Sequence, residues 1–115
     1  MKRILPSLRQ KKRYLVFEIV SNKKITSFDA VSKAIWQESL AFLGELGLSK
    51  AGIRILNKRF DSKTQRGIIK VNNLYVPHLK SALLMVDKIG NQKAILKSVG
   101  VSGILKKAEQ KYIAV

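Results

Sequence analysis

The chain has 115 residues, of which 46% are hydrophobic, enough for one compact core and too few for two domains of ordinary size. Lys and Arg number 23 against 7 Asp and Glu, giving a formal charge of +16 and a pI near 10.5, so a polyanionic partner is expected. The absence of cysteine excludes a disulfide framework and a thiolate metal site. Apolar runs such as Leu83-Leu84-Met85-Val86 are far shorter than a transmembrane span needs. The positive charge is spread along the chain, not gathered beside one amphipathic helix, which favours nucleic acid over a membrane surface as the polyanion. Met1-Lys2-Arg3-Ile4-Leu5 meets Pro6 at once and lacks the order of a secretory signal, so a cytoplasmic location is expected.

Residues 1–12 read as a basic N-terminal arm and residues 13–115 as a single domain. Residues 14–21, β-branched and aromatic without a breaker, predict a central strand with Leu15, Phe17 and Ile19 on one side and Tyr14, Val16 and Glu18 on the other. Ser27 offers an N-cap and Asp29 suits a first turn. Phe28, Val31, Ile35, Phe42 and Leu46 recur at helical spacing, and the helix is expected to stop around Gly44 and Gly47.

Residues 53–60 mix apolar and basic positions as a strand with one wet face would, and residues 61–67 form a turn. Residues 67–72 give a third strand with Ile69 and Val71 opposed to Ile68, Lys70 and Asn72. A second helix over 75–89 tolerates Pro77 in its first turn and is capped by Gly90. Residues 93–99 form a fourth strand, Gly100-Val101-Ser102-Gly103 a turn, and 104–112 a terminal helix. This order predicts an α+β ferredoxin-like (RRM-like) split βαβ sandwich: a four-stranded antiparallel sheet with two main helices on one face and an added C-terminal helix.

RNA-recognition domains of this plan stack bases on aromatics of the third strand, but Arg66-Gly67-Ile68-Ile69-Lys70-Val71 keeps only the opening Arg-Gly. The open face instead offers Val16, Leu56 and Ile68, an apolar patch that needs a cover. Ile104, Leu105, Ala108 and Tyr112, at helical spacing, either fold back over that face or dock on a partner protein. Trp36, Leu40 and Leu43 form a second stripe on the first helix, with the same two readings of core or interface.

Three basic clusters carry little acidic compensation, and their cations are candidate phosphate contacts: Arg9, Lys11, Lys12 and Arg13; Lys58, Arg59, Lys63 and Arg66; and Lys97, Lys106 and Lys107. Backbone N–H groups over 100–103 add a candidate anion site. Catalysis has little support. His78 is the sole histidine, the acids show no metal-binding or acid/base spacing, and Glu18 is expected to pair across strands with Lys70. Neither a Gly-rich phosphate loop nor a nucleophile elbow is present.

Three blocks, Arg13-Tyr14-Leu15-Val16-Phe17-Glu18, Val71-Asn72-Asn73-Leu74-Tyr75-Val76-Pro77-His78-Leu79-Lys80-Ser81-Ala82-Leu83 and Lys97-Ser98-Val99-Gly100-Val101-Ser102-Gly103-Ile104-Leu105-Lys106-Lys107, resemble the archaeal Pop5 family of ribonuclease P protein subunits. The resemblance implies a part in the endonuclease that removes the 5′ leader from precursor tRNA, with hydrolysis performed by the ribonuclease P RNA and its bound magnesium. On that footing the protein binds no cofactor of its own and assists as a non-catalytic subunit. The resemblance also implies a TIM-barrel-like ribonuclease P protein partner, forming a heterodimer that can pair into a heterotetramer. The competing expectations are a ribosomal or other structural RNA-binding protein of the same fold, and a stand-alone metal-dependent ribonuclease.

Overall fold

The computed structural model of the protein describes residues 11–113, so Arg9 and nearly all of the expected basic arm lie outside the described residues. The elements are β1 (Lys12–Ser21), α1 (Phe28–Ala51), β2 (Arg54–Ile55), β3 (Arg66–Asn72), α2 (Val76–Leu84), β4 (Lys88–Ile89), β5 (Gln92–Ser102) and α3 (Leu105–Ala108), which continues as a wider π-helical turn over Glu109–Ile113. The five strands form one antiparallel sheet in the order β2-β3-β1-β5-β4. The expected four-strand count is therefore short by one, the two-residue β4.

β1 is central because it has no wet side: Leu15, Val16 and Phe17 in succession are completely buried. Leu15, Phe17 and Ile19 meet Ile69, Val71 and Leu96 under α1 and α2, which contribute Val31, Ile35, Leu79 and Leu83. Val16 points the other way and packs with Ile68 and Ala108, flanked by Tyr14, Leu56, Val99, Leu105 and Tyr112. The terminal helix thus folds back over the open face, one of the two readings of its apolar stripe.

The Ser27 cap forms as expected, its hydroxyl accepting from the Ala30 N–H at 3.3 Å. The stop near Gly44 does not hold. Gly44 takes φ 75° and ψ 170°, which interrupts α1, but the helix resumes to bury Leu48 and Ala51 and ends at Gly52, whose left-handed φ of 60° closes it. The inward row runs Val31-Ile35-Ser39 before the break, leaving Phe42, expected in the core, exposed, and the interruption re-phases the rest so that Leu48 and Ala51, not the expected Leu46, face the core.

The expected strand over 53–60 shrinks to β2. Leu56 turns onto the α3 face, Asn57–Arg59 coil into a 3-10 turn, and Phe60 returns to the main core. α2 ends at Leu84, five residues before its expected end, because Ile89 is buried in a β4–β5 hairpin and the Asp87 carbonyl accepts the Ala94 N–H at 3.1 Å. Gly90 consequently caps no helix and takes φ 63° in the two-residue hairpin turn.

β5 likewise runs through the expected 100–103 turn as far as Ser102, keeping β1 paired along its whole length. A register shift between Val16 and Phe17 leaves Val99 as the extra residue of a bulge. The backbone expected to offer an anion site is thus largely strand, and the Ile104 N–H is taken by the Ser102 hydroxyl at 3.2 Å. Gly100 then accommodates Tyr112, since a Cβ at position 100 would stand 2.2 Å from the ring.

Gly100→Ala should push Tyr112 off its seat and loosen the terminal helix, lowering stability by about 1–3 kcal/mol, the usual cost of overpacking. Phe17→Ala, which empties the centre of the main core, should cost about 3–5 kcal/mol. Urea unfolding of the two variants checks the order.

Candidate nucleic-acid interface

One end of the sheet is built where β1 begins and β5 finishes. The Lys12 ammonium donates to the Asn72 side-chain carbonyl, and the Asn72 amide donates to the Lys50 carbonyl, tying β1, β3 and the end of α1 together. The Arg13 Nε donates to Asn73 Oδ1 at 3.0 Å, and its guanidinium lies across Gly103, where a Cβ would come within 2.7 Å of Nη1. Lys106 and Lys107 follow, exposed on α3. The fold therefore merges two clusters that are some ninety residues apart in the chain, Lys11 to Arg13 and Lys106–Lys107, into one cationic end.

The second group lies on the α3 face and is partly neutralised. Glu18 sits opposite Arg66 and Lys97 in the sheet, with Arg66 Nε at 3.3 Å and Lys97 Nζ at 3.5 Å. The expected Glu18–Lys70 pair does not form because Lys70 stands opposite Tyr14. Arg66 Nη1 also donates to the Tyr112 carbonyl at 2.8 Å, and Arg59 pairs with Glu109 at 3.1 Å. These arginines fasten the terminal helix as well as carrying charge. Lys63 is exposed in the turn before β3, its backbone N–H donating to the Asp61 carboxylate at 2.9 Å. Lys58 lies in the 3-10 turn after β2.

The apolar candidates divide. On α1, Trp36 is 45% exposed and Leu40 is also exposed, while Leu43 is partly buried against the main core. Ile104 is exposed, whereas Leu105 and Tyr112 pack on the second core. Phe42 and Leu46 extend the exposed apolar area of α1. His78 is exposed, its ring 5.1 Å from that of Tyr75. Among the described residues, no three of His, Asp and Glu gather in a group that could hold a metal ion.

A third basic region is not evident from the sequence clusters. At the opposite end of β1, a hollow of about 680 Å³ is lined by Lys23, Lys24 and Lys93 together with Asn22, Asn91 and Gln92. The Gly90-Asn91 pair is a two-residue hairpin signal, and reading it so would have brought Lys93 back beside the end of β1.

A small antiparallel sheet roofed on both faces, with cations at its ends and around its α3 face, defines a basic binding protein suited to a polyanion. Among the described residues, no helix is long and apolar enough to cross a membrane. Residues 13–113 match the profile of the Rpp14/Pop5 family, and the chain belongs to that family. It is 41% identical to Ribonuclease P protein component 2 of Thermococcus gammatolerans over 95% of this chain and 88% of that protein. It is 35% identical to the protein of the same name from Methanosarcina mazei over 98% of this chain and 93% of that protein. The fold is similar to that of a chain in the cryo-EM structure of yeast ribonuclease MRP, with a TM-score of 0.62, 13% identity and coverage of 89% of this chain and 78% of that one.

Glu18 and Glu109 hold cations that a polyanion could otherwise use. Glu109→Gln should change stability by less than about 1 kcal/mol, as largely exposed ion pairs do, and Glu18→Gln, whose side chain is mostly buried against Arg66, by more than that. Both should tighten binding to structured RNA and steepen its salt dependence, measured by fluorescence anisotropy across a salt series.

Proposed function

We propose that this chain is a protein component of ribonuclease P that binds and stabilises the catalytic RNA and so assists removal of the 5′ leader from precursor tRNA. The observation that carries the reading is 41% identity, over 95% of the chain, to a protein named Ribonuclease P protein component 2. The formal charge of +16 supports it, because RNA folding is limited by phosphate repulsion that bound cations relieve. The mechanism is electrostatic: Lys11, Lys12, Arg13, Lys106 and Lys107 neutralise phosphates at one end of the sheet. Lys58, Arg59, Lys63, Arg66 and Lys97 do so around the α3 face, and Arg9 extends the first group. Bond cleavage belongs to the RNA and its magnesium, with the protein as a non-catalytic subunit of the holoenzyme in the cytoplasm.

The strand order β5-β1-β3-β2, with β4 set apart, and the packing of α1 and α2 on the same core support a ferredoxin-like plan with α3 as an addition. The exposed Trp36 and Leu40 on α1 support a protein contact there, with a TIM-barrel-like ribonuclease P subunit as the partner in a heterodimer or heterotetramer. Leu43, Ile104, Leu105 and Tyr112 are further candidates for such contacts.

Adding the chain and its partner subunit to the catalytic RNA at limiting magnesium should raise the rate of 5′ leader removal. No gain would overturn the reading. Charge reversal at Lys97, Lys106 and Lys107 should reduce that gain and lower the slope of log affinity against log salt by up to about 2–3, at roughly 0.7–0.9 for each phosphate no longer neutralised.

A further inference from the structure

We propose that the hollow at the far end of β1 is a nucleotide-binding site, taking one nucleotide of a single-stranded RNA segment with its phosphate on the ammonium groups of Lys23, Lys24 and Lys93 and its base against Ala30 and the aliphatic stems of those lysines. The inference rests on the chain's being an RNA-binding subunit and adds a contact, at residues outside the basic clusters already described. The hollow, at about 680 Å³, falls within the range of small-ligand sites, roughly 300–1,000 Å³. Its lining divides into the parts a nucleotide needs. Three lysines supply positive charge, Ala30 and the lysine stems an apolar lining over the nearly buried Ile25 and Ile89, and Asn22, Asn91 and Gln92 amides that can meet a base edge.

The three lysines are not ion-paired among the described residues, the neighbouring acid being Asp87, which shares an adjoining depression with Lys93. No Asp or Glu lines the hollow itself. On the α3 face, by contrast, Arg59, Arg66 and Lys97 are all engaged by Glu18 or Glu109.

The walls are held in place before any ligand arrives. The buried Gln65 side chain grips the backbone of Ile25 from both sides, accepting its N–H at 2.9 Å and donating to its carbonyl at 2.9 Å. The Lys23 carbonyl accepts from the Ser21 hydroxyl and from Gln92 Nε2, both at 2.7 Å, so the end of β1 is tied to the start of β5. Binding then orders little more than three lysine side chains, which keeps its entropic cost low. β1 is 10 residues long, so the hollow lies about 30 Å from Lys12 and Arg13 at a rise of roughly 3.3 Å per residue. One RNA can therefore be held at both ends of the sheet.

The test titrates the full chain with a short single-stranded RNA, uridine monophosphate, inorganic phosphate and poly-glutamate, following backbone amide resonances by NMR. The RNA and the mononucleotide should shift Asn22, Asn91 and Gln92 at saturable concentrations. Phosphate or poly-glutamate producing the same shifts at equal affinity would overturn the proposal, because the base would then contribute nothing. The triple variant Lys23→Gln, Lys24→Gln, Lys93→Gln should bind the RNA at least about tenfold more weakly, with a salt slope lower by about 0.7, the change for the one single-strand phosphate the site neutralises. Replacing the same three lysines by arginine should restore binding, and unchanged thermal unfolding excludes a folding defect. A triple variant that binds as tightly as the parent, with the same slope, would sink the site while leaving the holoenzyme reading intact. A parent chain that binds RNA but adds nothing to leader removal would have the opposite result.

Discussion

The organisation follows from a strand that must be dry on both faces. Antiparallel sheets commonly leave one face to water, and the usual sign is strict alternation of apolar and polar residues. β1 breaks that alternation at Leu15-Val16-Phe17, so a single layer of helices cannot satisfy it. α1 and α2 cover Leu15 and Phe17, and the terminal helix must come back to cover Val16. With both faces of the centre occupied by apolar packing, the cations are left to the ends of the strands, the turns and the rim of the α3 face. The core thus dictates where a polyanion can touch the molecule.

Charge is used in two ways. Around α3, Glu18 and Glu109 recruit Arg66, Lys97 and Arg59 into internal contacts, which fix the last helix. At the two ends of β1 the cations form no ion pair among the described residues. A chain with 7 acidic residues has few to spare, and placing two of them against the second core leaves the ends strongly positive. The family relationship and the electrostatics therefore converge, since a ribonuclease P component has to bind RNA and this surface has the means to do so.

Much of this is legible from residue order. β1, its two faces, the Ser27 cap, β3 and its facing, and the return of the last helix all follow from local pattern. The departures share a cause. The end of α1, the short β2, the early end of α2 and the long β5 each depend on a partner distant in sequence. Gly44 looks like a stop until Leu48 and Ala51 are seen to need burial, and Gly90 looks like a helix cap until Lys88 and Ile89 find Gln92 and Lys93. The basic surface is legible only in part for the same reason. Clusters contiguous in sequence are visible, whereas the lysines at the far end are joined only by a hairpin that the helical reading conceals. Glu18 has other mates than Lys70 because register, which puts Arg66 and Lys97 beside it, cannot be read from one strand.

The roof over Val16 has a consequence for biosynthesis. Val16 leaves the ribosome early, but Ala108 and Tyr112, which cover it, are made about ninety residues later. At translation speeds of roughly 5–20 residues per second, the nascent chain carries an uncovered apolar strand face for several seconds or more. The second core therefore closes only after residues 105–113 have left the ribosome, and until then the most apolar strand is the part most in need of a chaperone.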